Sequence, residues 1–186
     1  PRWETESSNL RPPESLVTER LVLRVPIPAD AQSIFDAYAR DPEVTRYLTW
    51  RPHQSIADAE QNIARSIAAW EQERSFPYVI VLKNLDQVIG MLRLNIDRLR
   101  ADLGYVLARP YWGQGIMTEA VRRVVSWALE QPQIYRVSAV CAVENIASTR
   151  VMEKAGMQHE GVLRRYILHP NISDEPRDCY SYAATR

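Results

Sequence analysis

Leu21, Leu23 and Val25 alternate with Val22 and Arg24, a period-2 pattern that predicts a strand stopped by Pro26 and Pro28. Ala31, Ile34, Phe35 and Tyr38 then recur at helical spacing, and Asp41-Pro42 ends that helix. Ser55 followed by Asp58 reads as a capping box with Asp in place of Glu. It opens a second helix along Ile56, Ala59, Ile63, Ile67 and Trp70. Strands are expected over 76–83 and 87–95, joined at Asn84-Leu85-Asp86 as a hairpin, and a third over 101–108. A strong helix covers 113–129, with Met117, Ala120, Val121, Val124, Val125 and Ala128 on its apolar face. The run 134–143 is almost entirely apolar, the pattern of a strand buried on both faces. A helix over 145–155, stopped by Gly156, precedes two last strands over 158–168 and 177–184.

The order of these elements predicts a mixed α/β sheet flanked by helices. It lacks the regular alternation of a doubly wound dinucleotide fold. The polar stretch 1–15, with Pro12-Pro13, reads as an irregular arm, and 16–186 as a single domain. At 186 residues, 46% hydrophobic and 25% charged, the chain can bury a core without disulfide or metal staples. Lys+Arg and Asp+Glu are 23 each, so any positive field is local, and nucleic-acid binding is a poor expectation. Cys141 and Cys179 are widely separated and read as reduced thiols of a cytoplasmic protein. The histidines show no metal-ligand spacing, no membrane is expected as a partner, and no metal is expected. The chain begins at Pro1 without Met, so the lack of a visible targeting segment says little.

Two stretches carry candidate chemistry. Tyr111-Trp112-Gly113-Gln114-Gly115-Ile116-Met117-Thr118-Glu119 follows a strand and opens a helix. Glycines allow a sharp turn, and the free N–H groups of a first helical turn suit a phosphate. A P-loop is excluded because no Gly-Lys pair occurs, and the dinucleotide fingerprint fails at Thr118, where its third glycine belongs. Glu119 and Arg123 are spaced for an i,i+4 pair. The second stretch starts at Glu144-Asn145. Asn145 caps the helix well, while Ser148, one turn on, is not required by capping. Both can face a ligand held between the two helices.

Taken with Leu103-Gly104-Tyr105-Val106-Leu107 and with Arg150-Val151-Met152-Glu153-Lys154, these motifs resemble the GNAT superfamily of acyl-CoA-dependent N-acetyltransferases. Thr18-Glu19-Arg20-Leu21-Val22-Leu23-Arg24 and Gly161-Val162-Leu163-Arg164-Arg165-Tyr166 are similar to the branch that acetylates N-terminal amines of ribosomal proteins. The resemblance implies a splayed pair of parallel strands, 101–108 and 134–143, holding acetyl-CoA as cosubstrate. Backbone groups of Val106, Leu107 and Ala108 would pair with the pantetheine arm. Trp112, Gly113, Gln114, Gly115, Ile116, Met117 and Thr118 would surround the pyrophosphate, and Asn145 would bond a pantetheine amide. The family often places Gln or Arg where Pro110 stands here.

The implied reaction is attack of a neutral amine on a thioester. Asp102, a carboxylate in an otherwise apolar strand, is the candidate base, against the reading of a solvated strand-end Asp. Many family members carry a tyrosine acid where Met152 stands, which moves the role of acid to Ser148. The Leu107 N–H is the candidate oxyanion donor, and Lys154 could reach the adenosine end. Tyr47, Trp50 and Arg51 lie in the region that lines the amine side in this family. The acceptor that the resemblance implies is a protein N-terminal α-amine, with a small-molecule amine such as an aminoglycoside, polyamine or amino acid as the alternative. Asp58, Glu60, Glu71 and Glu73 would suit a cationic acceptor, or form a solvated helix face. A non-catalytic acyl-CoA sensor is the third possibility. The chain is expected to be a monomer or a homodimer, with the last two strands able to pair across a dimer.

Overall fold

The computed structural model describes residues 10–186; the first part of the expected arm lies outside them. The strands are β1 (Ser15–Val17), β2 (Leu21–Arg24), β3 (Phe76–Leu82), β4 (Gln87–Asp97), β5 (Arg100–Leu107), β6 (Arg136–Ala142), β7 (Gln158–Ile167) and β8 (Arg177–Thr185). The helices are α1 (Asp30–Ile34), α2 (Pro42–Thr45), α3 (Ile56–Glu71), α4 (Ile116–Glu130) and α5 (Ile146–Lys154). They build one eight-stranded sheet in the order β1-β2-β3-β4-β5-β6-β8-β7. Every neighbouring pair is antiparallel except β5 and β6.

One face of the sheet is covered by α1, the π-helical turn Phe35–Ala39 that continues it, and α3, through Ile34, Tyr38, Ala59 and Ile63 on Val79, Val81 and Val88. The other is covered by α4, whose Met117, Ala120, Val121, Val124, Val125 and Ala128 are all buried, with Met152 of α5 beside them. This is the apolar face read from the sequence.

The differences from the sequence reading have local causes. β1 was not foreseen: three residues are too few for a periodicity signal, yet Leu16 is buried against β2. Asp41 does not only end a helix. Its carboxylate accepts the N–H of Glu43 at 2.9 Å and caps α2. The strand buried on both faces is β3, not β6. In β6, Val137, Ala139 and Cys141 are buried, whereas Arg136, Ser138 and Val140 are half-buried. β7 and β8 pair with each other within the chain.

The feature that positions a site is the short contact between β5 and β6. Their parallel register covers only Arg100–Asp102 against Arg136–Ser138. Beyond it β5 stays on β4 as far as Leu107, and β6 stays on β8 as far as Ala142. The two strands therefore part, and their facing edges open toward the N-termini of α4 and α5. The parting is supported from β4 by a bulge: Ile80 faces Gly90 but Val81 faces Val88, leaving Ile89 as an extra residue. Gly90 lets β5 come close, since a Cβ there would lie 2.4 Å from the Val106 carbonyl oxygen.

Candidate active site

Strand alternation decides which backbone groups face the gap. The Ala108 N–H donates to Ile89 O at 2.8 Å, and the Val106 carbonyl points at Gly90, so both are directed toward β4. Successive residues point opposite ways, so Leu103, Tyr105 and Leu107 present theirs to the gap. The Leu107 carbonyl accepts the Trp112 indole N–H at 2.7 Å, leaving its N–H toward the gap. Of the three residues expected to pair with pantetheine, Leu107 alone aims its backbone there. Trp112 is tied to the strand end by the same bond, although the residue is 45% exposed.

At the mouth of the gap, Gly113 and Gly115 have φ of 72° and 73°, conformations that favour glycine. Gly115 is the N-cap of α4 and offers no side-chain cap, so the N–H groups of Ile116, Met117 and Thr118 have no intrahelical acceptor. Gly113, Gln114 and Gly115 are exposed and the next three residues are buried. This is a turn of uncapped donors with a helix dipole behind it, which fits a phosphate. Glu119 does not bind Arg123 as its spacing suggested. Its carboxylate accepts Thr18 Oγ1 at 2.6 Å, Arg20 N at 2.9 Å and Arg20 Nε at 2.6 Å. Partial burial raises its pKa, but the bonds from Thr18 and Arg20 outweigh that and leave it lowered.

Across the gap, the Asn145 side chain accepts the Ser148 N–H at 3.2 Å, so Asn145 is the N-cap and keeps its amide NH₂ for a ligand. The Ser148 hydroxyl lies 2.8 Å from the Tyr105 hydroxyl, which also reaches the Ser148 carbonyl at 3.3 Å. Burial pushes the Tyr105 phenol well up and keeps it protonated; the bond with Ser148 opposes this in part. Burial pushes the Cys141 thiol on β6 up to about 11, an effect that Ser148 opposes in part. Ser148 on α5 is thus tied to β5 through the Tyr105 hydroxyl. Tyr105 was missed as a site residue. Its signal was present, because period 2 places it with the buried Leu103 and Leu107, where its hydroxyl needs a partner.

Asp102 sits at the last rung of the parallel ladder, exposed, and accepts Asn95 Nδ2 at 2.9 Å. It shares a strand face with Gly104 and Val106, the face opposite Tyr105. Five residues separate it from Leu107, roughly 16 Å along a strand. Met152 is fully buried, with no polar atom to offer in place of the missing tyrosine. Lys154 is exposed, and its carbonyl accepts Arg122 Nη2 at 2.5 Å.

A second group of residues closes over the end of β6. Tyr47 Oη donates to Glu144 O at 3.4 Å, and Glu144 is ion-paired with Arg177. Asn171 Nδ2 donates to the carbonyls of Thr45 at 2.7 Å and Trp50 at 2.8 Å, tying the β7–β8 loop to the end of α2 and the segment after it. Trp50 stacks on His53 with ring centroids 5.0 Å apart. His169 is buried, and burial together with the Arg177 charge lowers its pKa, while Glu144 opposes the shift. The acidic residues of α3 and of the turn after it do not join this wall as a group. Asp58 accepts the N–H groups of Gln54 and Ser55, and Glu73 pairs with Arg11 at 3.7 Å.

Comparison with known proteins places this geometry. Residues 20–158 match the family model described as an acetyltransferase (GNAT) domain. The uncharacterized N-acetyltransferase YoaA of Bacillus subtilis is 32% identical over 92% of this chain and 97% of its own length. The [ribosomal protein uS5]-alanine N-acetyltransferase of Escherichia coli is 24% identical over 84% of each chain. The crystal structure of the microcin C7 self immunity acetyltransferase MccE, in complex with acetyl-CoA and AMP, superposes with a TM-score of 0.84 at 22% identity, covering 94% of this chain and 98% of that one. With its split parallel strands, glycine turn and capped serine helix, the chain belongs to the GNAT acetyltransferase family and is an N-acetyltransferase.

Proposed function

We propose that this enzyme moves an acetyl group directly from acetyl-CoA to a primary amine, and that the amine is the N-terminal α-amine of a protein. The observation that carries the reading is the Ser148 hydroxyl, fixed 2.8 Å from the Tyr105 hydroxyl between the parted strands. The residues fit a thioester with a phosphorylated tail. Open backbone groups of β5 suit the amides of a pantetheine arm, and the turn 113–118 suits a pyrophosphate. Asn145 keeps an amide donor for the arm. A ribosomal-protein acceptor is favoured by the uS5-alanine enzyme among the relatives.

In this reading an N–H of β5 that faces the gap, with Leu107 the first candidate, donates to the thioester oxygen as it gains charge. Such a donor is worth about 3 kcal/mol. Ser148 donates to the departing sulfur, and Tyr105 holds that hydroxyl in place. A serine hydroxyl is a weak acid, so its contribution is a hydrogen bond to the thiolate rather than full proton transfer. A protonated amine must first lose a proton. Asp102 stands too far from Leu107 for direct contact, so its role as base would require a relay of several waters. The second wall, from Tyr47 and Trp50 to Glu144, Asn171 and Arg177, borders the acceptor.

The test is release of the CoA thiol from acetyl-CoA against two pools, peptides with free N-termini and small amines. Release with peptides alone supports the reading. Release with small amines alone replaces the acceptor class while keeping the chemistry, and acetyl-CoA binding without release to either pool favours a sensor.

A further inference from the structure

Arg20 lies in the turn between β1 and β2, far in sequence from the glycine turn, yet three parts of its guanidinium meet that turn. Nε donates to Glu119 Oε2 at 2.6 Å, and Nη1 donates to the Gln114 carbonyl at 3.0 Å. Nη2 lies 3.6 Å from where a Cβ on Gly115 would be. Glu119 is itself fixed by Thr18 Oγ1 and by the Arg20 N–H. Thr18 and Arg20 are bound into the β1–β2 turn, where the Thr18 N–H donates to Leu21 O at 3.0 Å. The edge of the sheet thus holds an exposed turn 94 residues away in the chain.

The peptide between Gln114 and Gly115 makes this more than a brace. In a trans peptide the carbonyl and the N–H point opposite ways. With the Gln114 carbonyl turned onto Arg20, the Gly115 N–H is turned away from it. Gly115 has no side chain to cap α4, so this N–H lies next to the free donors of the first helical turn. Release of the Gln114 carbonyl would let the peptide rotate, since glycine on its C-terminal side resists little. A charge-assisted bond to a planar guanidinium, itself fixed by a carboxylate, is suited to hold it.

We infer that Arg20, held by Glu119 and Thr18, is a positioning residue for the coenzyme pyrophosphate: it fixes the Gln114–Gly115 peptide so that its N–H joins the anion site. This rests on the reading that the pyrophosphate lies on residues 113–118. Loss of Arg20 should therefore weaken ligands that carry the pyrophosphate and spare those that lack it.

The experiment measures binding of acetyl-CoA and of S-acetylpantetheine to the full chain by calorimetry, for wild type, Arg20→Gln, Arg20→Lys and Glu119→Gln. Thermal melting of each variant accompanies the titrations. Arg20→Gln should bind acetyl-CoA roughly tenfold more weakly, with S-acetylpantetheine unchanged. Arg20→Lys keeps the charge but cannot span both acceptors, and should recover only part of the loss. Glu119→Gln should move the same way as Arg20→Gln. Equal weakening of both ligands would mean general structural damage and overturn the inference, as would full acetyl-CoA affinity in Arg20→Gln. If the wild type binds the two ligands equally well, the pyrophosphate site itself is wrong, and the inference fails with it.

Discussion

The two walls of the site are held in different ways. The wall assigned to the coenzyme is built from segments of mostly local shape, a strand, a glycine turn and a helix start within 101–120 and a capped helix at 145–148, which Arg20 and Tyr105 then tie at long range. The wall assigned to the acceptor is assembled from segments distant in sequence. Asn171 reaches back to Thr45 and Trp50, and Tyr47 reaches forward to Glu144. Local patterns of glycine, caps and periodicity can encode the first. The second depends on where loops meet after the sheet has formed.

Four substitutions probe the contrast, from the largest effect to the smallest. Gly90→Ala strikes the coenzyme wall at its foundation, because the new Cβ would meet the Val106 carbonyl oxygen at 2.4 Å and neither strand can give way cheaply. A loss of about 3 kcal/mol is expected in urea unfolding. Unchanged stability would mean that β4 and β5 are less tightly matched than described. Ser148→Ala should lower turnover by roughly thirtyfold, about 2 kcal/mol, with acetyl-CoA affinity nearly intact. An equal rise in the coenzyme dissociation constant would make Ser148 a binding residue instead.

Asn171→Ala removes two bonds between loops on the acceptor side. The KM for the amine should rise about fivefold, roughly 1 kcal/mol, with acetyl-CoA binding unchanged. A change in coenzyme affinity would show that the walls are coupled. The smallest effect concerns pH. His169 is buried with its pKa lowered from the ordinary 6.5. Below about pH 6.5 an unfolded chain takes up a proton that the folded chain resists, so stability should fall as pH falls. His53 is shifted the same way by burial, which Asp58 opposes, and should add to the slope. His169→Asn should flatten the decline in chemical denaturation between pH 7 and pH 5, while the wild-type slope persisting would assign it to other groups.

What the sequence revealed follows the same division. The helix over 116–130, the glycine turn and the Asn145 cap were legible because each is a short-range pattern with a direct physical cause. The partner of Glu119 was not. Arg123 lies one turn away on the same helix, but Arg20 brings a preorganised fork and a second bond to Gln114, and tertiary packing overrode the helical pair. Tyr105 stood inside a motif already singled out. Its role emerges only when α5 brings Ser148 over β5, a contact 43 residues long in sequence. The apolar run of β6 suggested burial on both faces, but α1 and α3 pack on β3 and β4 and leave the face of β6 with Arg136, Ser138 and Val140 half-buried, and periodicity carries no information about that.

The central claim is direct transfer of acetyl from acetyl-CoA to an amine, without an acetylated enzyme between them. The most direct measurement is mass spectrometry of the intact protein and of the amine after mixing with acetyl-CoA, with and without an N-terminal peptide. The account predicts an unmodified protein in both samples, and acetylated peptide formed in step with the CoA thiol released. An acetyl group on Ser148 or Cys141 in the amine-free sample, passing to the peptide when it is added, would contradict it.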